Sequence, residues 1–136
     1  MRMDERQLEK GLRAPDREEI ELLHGRLCHA LADATRIAIL YELAAGPRHV
    51  TALVDALGQP QATVSRHLRV LHERSLVLTE RIGTRVEYRL ADPRIIHALD
   101  LMRALLADAL DRESELAARI RDARKRPGAR KKTSTP

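Results

Sequence analysis

The sequence predicts a mainly α-helical chain carrying one small β-hairpin, and three stretches predict it. Between Gln59 and Arg74, Val64, Leu68 and Leu71 recur at the spacing of one helix face, leaving Gln61, Ala62, Ser65, Arg66 and Arg69 on the other. Just upstream, His49 to Leu57 reads as a short helix with Thr51 as its cap and Leu53, Ala56 and Leu57 as its apolar side; Gly58 ends it. Downstream, Leu76 to Arg81 and Val86 to Leu90 read as strands. They are joined through Ile82-Gly83-Thr84-Arg85, whose glycine suits a hairpin turn. Helix, tight turn, helix and basic hairpin, in that order, make a winged helix-turn-helix.

The flanking elements follow from the same periodicities. Residues 1–15 are polar, mixed in charge and weakly patterned, as in a flexible N-terminal arm. From Asp16, a capping residue, to Ala32, the residues Ile20, Leu23, Leu27 and Leu31 recur at helical spacing. A second helix begins near Ala34, with Ile37, Leu40, Tyr41 and Ala44 on one side, and Gly46-Pro47 stops it. These two helices are expected to hold the Gln61 helix at a fixed angle. After the hairpin, Asp92 and Pro93 stand where a cap and a first helical residue belong, and the helix they open can run to about Arg121. Its polar positions gather into a narrow stripe of His97, Asp100, Asp108 and Asp111, with Arg103 beside it. A helix this apolar needs covering on more than one side. The expectation is a homodimer in which the N- and C-terminal helices form the interface.

Residues 16–121 thus form one domain, and 136 residues ask for no second. Residues 122–136 form a basic tail with nothing to bury, expected to be disordered; it serves either phosphate attraction or solubility. The chain carries a net charge of +5, unevenly spread. Residues 121–136 hold seven basic residues against Asp122, and residues 61–90 hold six arginines against three glutamates. Positive charge therefore concentrates on the second helix of the helix-turn-helix, the hairpin and the tail, as an anionic polymer partner requires. Phe and Trp are absent and Tyr occurs twice, leaving no platform for stacking exposed bases. Duplex DNA is the expected partner rather than single strands. The single cysteine forbids an intrachain disulfide, and neither a signal peptide nor a bilayer-length apolar run is visible. A reduced, cytoplasmic setting is expected, with no membrane partner.

For the reading of duplex DNA the candidates are Gln61, Ala62, Thr63, Ser65, Arg66, His67 and Arg69, because Arg pairs with guanine, Gln with adenine, and Ser or Thr with base edges or phosphates. In the hairpin, Arg81 and Arg85 flank Gly83 and could enter the minor groove or hold its phosphates.

Three fragments in order resemble the ArsR/SmtB family of small dimeric winged-helix repressors: Leu31-Ala32-Asp33-Ala34-Thr35-Arg36-Ile37-Ala38-Ile39-Leu40, then Thr63-Val64-Ser65-Arg66-His67-Leu68-Arg69-Val70-Leu71, then Val86-Glu87-Tyr88-Arg89-Leu90. The resemblance covers roughly residues 17 to 115. It implies a repressor that binds a palindromic operator as a homodimer and answers to an effector. Pro60 departs from the family, where a serine cap is common, so the helix N-terminus must be held differently. The family's metal site on the helix before the reader falls here on His49, Thr51 and Val54, of which only His49 could ligate. A second family site, across the dimer, falls on Asp92, Arg94, Leu105 and Asp108. Its two carboxylates remain and its histidines are gone, and zinc wants about four ligands. His97 or Asp100, one turn along, could be recruited to an oxygen-rich variant.

His24 and Cys28 lie four apart on the first helix, as a nitrogen and a sulfur ligand on one face, which a symmetry mate could complete. The plainer reading makes Cys28 a small core hydrophobe. A divalent transition metal is the cofactor class these residues would suit; a thiol-reactive species is the alternative effector. The family's paired-cysteine switch is excluded within a subunit. No Gly-rich phosphate loop, paired carboxylates or nucleophile–base motif stands out, so an enzyme is not expected. The competing function is a winged-helix module that presents the same helix to a protein partner, without effector sensing.

Overall fold

The computed structural model describes residues 14–125. The arm expected over residues 1–15 lies outside them except for its last two residues, and the tail expected from 122 lies outside them from 126 onward.

Asp16 starts the first helix as its sequence position predicts: the carboxylate accepts the Glu19 N–H at 2.9 Å. This helix, α1, comprises Arg17–Leu22, a π-helical stretch Leu23–Cys28, and a closing turn His29–Leu31. The junction residues Leu23 and His29 keep right-handed helical backbone, so the three pieces form one rod. The π stretch was not expected, because a widened turn leaves the spacing of Ile20, Leu23, Leu27 and Leu31 looking α-helical. Helix α2, Ala34–Ala44, begins at Asp33, whose carboxylate accepts the Arg36 N–H at 3.1 Å.

Strand β1, Arg48–His49, was not foreseen; two residues are too few to show a period. It leads into α3, Val50–Leu57. His49, in extended backbone, occupies the cap position without a side-chain hydrogen bond. Thr51 therefore lies inside the first turn and is not the cap that sequence suggests. At the other end Gly58 adopts φ +62°, where a side chain would be strained, and its N–H reaches the Val54 carbonyl at 2.9 Å.

Helix α4, Gln61–Glu73, follows after a short turn. Then come β2, Val77–Ile82, and β3, Arg85–Leu90. They pair antiparallel with Ile82 opposite Arg85, leaving the two-residue turn Gly83-Thr84. Gly83 has φ +62° and Thr84 does not have a positive φ, the pattern of a type II′ hairpin turn. β1 adds to the far edge of β3, with Arg48 opposite Tyr88 and His49 opposite Glu87, so the sheet order is β1-β3-β2.

The core gathers where α2, α3, α4 and the sheet meet. Ile39 and Leu40 of α2, Leu53 of α3, Val64, Leu68 and Leu71 of α4, and Val77 of β2 are fully buried. Each such side chain contributes on the order of 1.5–3 kcal/mol of transfer free energy. These contacts hold α4 by one face only.

The chain divides into two compact units, one ending at Pro93 and one beginning at Arg94. The second contains α5, Arg94–Lys125, which runs past the Arg121 expected from sequence. Leu101, Met102, Leu105, Leu106, Leu110, Leu116 and Ile120 on α5 are exposed, as are Ile20, Leu22 and Leu23 on α1. Among the described residues no helix is long and apolar enough to cross a membrane.

Candidate nucleic-acid interface

Helix α4 divides cleanly around its circumference. Val64, His67, Leu68 and Leu71 are buried at the i, i+3, i+4, i+7 spacing of a single stripe. Gln61, Ala62, Ser65, Arg66 and Arg69 are exposed on the opposite side, and Thr63 is half-buried at the edge. Pro60 occupies the cap position and offers no side-chain acceptor, although its carbonyl receives the Val64 N–H at 3.1 Å. The first-turn N–H groups of Gln61, Ala62 and Thr63 therefore have no side-chain cap, at the end of the helix that favours anions.

One candidate is misplaced. His67 is 7% exposed and turned away from the Arg66 face, so it is not available to a base edge. The reason is its place in the buried stripe, between Val64 and Leu68 on one side and Leu71 on the other. The Val64, Leu68, Leu71 spacing already contained the vacancy at position 67, and that was the signal available in the sequence.

Inside, His67 meets two residues to which sequence assigned no role. The Arg36 Nη1 lies 3.3 Å from His67 Nδ1, its Nε donates to the Ala30 carbonyl at 2.6 Å, and its Nη2 donates to the His29 carbonyl at 3.1 Å. Asp33 Oδ1 stands 3.8 Å from His67 Nε2, an ion pair when the imidazole is protonated. Among the described residues no buried side-chain nitrogen or oxygen lacks a partner. Partial burial works to raise the Asp33 pKa, but it is outweighed. The Arg36 N–H, the positive charge His67 can carry, the Arg36 guanidinium and the Thr35 N–H together hold the carboxyl below its ordinary value.

A depressed carboxyl pKa contributes stability that is fully present above the unfolded value, about 4, and is lost as pH falls through the folded one. Asp33→Ala is therefore expected to cost about 1 kcal/mol at neutral pH in urea denaturation. The gap from the parent should narrow as pH falls below about 4. A gap that stays constant or widens in acid would contradict this account of Asp33.

The wing arginines do not share a face. Arg81 is opposite Val86, and Arg85 is opposite Ile82, one position along, so their side chains leave opposite sides of the hairpin. Both are exposed, and they straddle the Gly83-Thr84 tip.

The metal candidates are scattered. His24 and Cys28 are exposed on α1, so Cys28 is not the core hydrophobe of the plainer reading within one chain. His97, Asp100 and Asp108 are exposed along α5, with Asp100 paired to Arg103 at 3.1 Å, and Asp92 is half-buried before it. Among the described residues no three His, Cys, Asp or Glu side chains converge on a point where an ion could sit. Within one chain the described residues thus gather no set of the roughly four ligands a zinc-like ion requires.

Comparison with known proteins agrees with this geometry. Residues 33–78, from the Asp33 cap through α4 to Leu78 of β2, match the sequence profile described as "Bacterial regulatory protein, arsR family". The chain is 44% identical over 98 residues to the HTH-type transcriptional repressor SmtB of Mycobacterium tuberculosis, covering 71% of this chain and 73% of that protein. Among solved structures it is similar to Rv0081 of Mycobacterium tuberculosis, with a TM-score of 0.64 and 29% identity over 70% of this chain and 96% of that one. It is also similar to a homodimeric winged helix-turn-helix DNA-binding domain from Mycobacterium bovis, described as a possible ArsR-family transcriptional regulator. There the TM-score is 0.62 and the identity 32%, over 74% of this chain and 94% of that one. With the fold, the order of the fragments and nearly three quarters of a repressor's length in common, this chain belongs to the ArsR/SmtB family of winged-helix transcriptional regulators.

Proposed function

We propose that the chain is a transcriptional repressor that binds a palindromic operator in double-stranded DNA as a homodimer. The observation that carries this reading is the division of α4, with its buried stripe locked to the core and Gln61, Ser65, Arg66 and Arg69 free on the outside. A helix held by one face can enter the major groove with the other. Gln61, Ala62 and Thr63, at the N-terminal end, are placed to reach base edges or receive a phosphate on their N–H groups. Arg66 is assigned to a base edge and Arg69, further along, to phosphate. Arg81 and Arg85, on the two sides of the wing tip, suit the two backbones that border a minor groove.

The second subunit follows from apolar surface. The exposed leucines of α5 and the Ile20, Leu22, Leu23 group of α1 need cover that a second copy of the chain supplies. Two-fold symmetry then places two α4 helices about one DNA turn apart. Operator affinity is modulated by an effector acting as a population shift between dimer geometries.

The direct test is a titration of the dimer on its own promoter DNA at rising salt. For six to ten phosphate contacts, affinity is expected to fall about 10³- to 10⁵-fold between about 50 and 200 mM salt, and to remain well above that for scrambled duplex. Salt-independent binding, or equal affinity for both duplexes, would overturn the proposal.

A further inference from the structure

We infer that Asp33, Arg36 and His67 form a positioning triad that ties the end of α1 to the reading helix α4 and so sets which half-site spacing the dimer accepts; the inference rests on the operator-binding function proposed above. The joints made by Arg36 are directed hydrogen bonds, and Asp33 stands at ion-pair distance from the ring. Arg36 presents three nitrogens of one planar guanidinium to three acceptors: the carbonyls of Ala30 at 2.6 Å and His29 at 3.1 Å, and the imidazole Nδ1 of His67 at 3.3 Å. The two carbonyls belong to the last turn of α1, at the negative end of its dipole, and that of His29 also accepts the Ala32 N–H at 3.3 Å. The guanidinium brings positive charge and directed N–H donors to that end.

The imidazole belongs to the middle of α4. With Nδ1 accepting from Arg36, the proton of a neutral ring sits on Nε2, on the side of Asp33 Oδ1 at 3.8 Å. Asp33 in turn starts α2 by accepting the Arg36 N–H at 3.1 Å. One planar group and one ring thus join the end of α1, the start of α2 and the core side of α4. The other buried side chains of α4, Val64, Leu68 and Leu71, are aliphatic and make non-directional dispersion contacts, so the Arg36–His67 hydrogen bond at 3.3 Å adds a directional restraint on the roll of the helix.

The consequence for reading lies one residue away. Arg66 precedes His67 in the chain and is exposed, so the roll of α4 that satisfies the Arg36–His67 bond also sets the direction in which Arg66 leaves the helix. Through α1, which contributes to the dimer seam, the same bond relates each α4 to the two-fold axis. Losing it frees the helix to roll. Contacts to bases, which need a fixed register, suffer, whereas the attraction of charge to phosphate does not.

The experiment uses the full-length dimer and fluorescence anisotropy on four duplexes: the promoter operator, the operator with its central spacer one base pair shorter or longer, and a scrambled sequence. The parent protein is compared with His67→Ala, Arg36→Lys, and their combination, each also followed by thermal melting and sedimentation. Arg36→Lys keeps the charge and loses the fork, so it reads the triad even where His67→Ala fails to fold. The expected result is a fall of about tenfold or more in the operator-to-scrambled affinity ratio, within the range of couplings between contacting side chains. Scrambled-duplex affinity should stay within about twofold, the preference among spacers should flatten, and the combination should be no worse than the stronger single change. His67→Gln, which restores an acceptor for Arg36, should recover part of the spacing preference.

Variants that keep the parent's ratio and spacing profile would overturn the triad alone. So would a parallel loss on operator and scrambled duplex that tracks the drop in melting temperature, the mark of a purely structural role. A parent protein indifferent between operator and scrambled DNA would instead sink the operator-binding function, and the triad with it.

Discussion

Replacing Arg66 and Arg69 together with alanine is expected to lower operator affinity at least about 100-fold while leaving the dimer and its melting temperature intact. The two positions lie three apart on the exposed side of α4, opposite the buried Val64, Leu68 and Leu71. Alanine is a good helix former, and exposed substitutions away from special features usually stay within about 0.5 kcal/mol, so the fold has no reason to respond. DNA binding does have one. A guanidinium on a guanine edge is worth about 1–3 kcal/mol of discrimination, and in a symmetric dimer the loss occurs in both half-sites. The two changes should also differ in kind when made singly. Arg66→Ala should relax specificity at one base position per half-site, whereas Arg69→Ala should weaken all sequences alike and reduce the salt slope by about one per subunit. Anisotropy titrations on operator and scrambled duplex at several salt concentrations separate the two. Operator binding that survives the double replacement would remove α4 from the interface and favour a protein-interaction role for this helix.

A single charge on the last helix should have a comparable effect by a different route. Leu106 on α5 is 59% exposed in the single chain, so Leu106→Glu costs the free subunit little. In the dimer proposed here the same position is covered, and symmetry buries two carboxylates at once. An unpaired buried charge costs about 3–5 kcal/mol. Dimerisation is therefore expected to weaken by about 10³-fold or more, leaving folded subunits whose α5 stays helical, since glutamate is a good helix former. Operator affinity should fall with it, because each subunit then binds one half-site without the gain of a tethered neighbour. Sedimentation at several concentrations together with circular dichroism checks both halves of the expectation. A variant that remains dimeric at the parent's dissociation constant would place the seam elsewhere. One that loses its helix content would show Leu106 to be held within the subunit.

The elements most legible from sequence were those decided by nearest neighbours along the chain. Asp16 announced a helix start three residues before the N–H it accepts, and Gly58 announced a helix end through the φ that only glycine adopts without strain. Gly83 did the same for the hairpin. The reading face of α4 was visible because a buried stripe at 3.6-residue spacing implies its opposite. What was misread was also local in cause. Thr51 looks like a cap by composition, but the extended backbone at His49 starts α3 earlier. β1 is too short to carry a period, and its pairing to Tyr88 and Glu87 exists only once β3 is in place.

The division between the two kinds of information is therefore physical. Periodicity, caps and turn glycines act over a few residues, and from them the sequence by itself determined a winged helix-turn-helix with a basic reading helix, a largely apolar last helix and a charge distribution suited to duplex DNA. Only the tertiary structure decided that His67 faces inward, that Arg36 spans 31 positions to reach it, and that Arg81 and Arg85 leave opposite sides of the wing. Those outcomes depend on strand register and on hydrogen bonds between distant segments, whose energies appear only when the partners are brought together in space, and no local pattern of residue types encodes them.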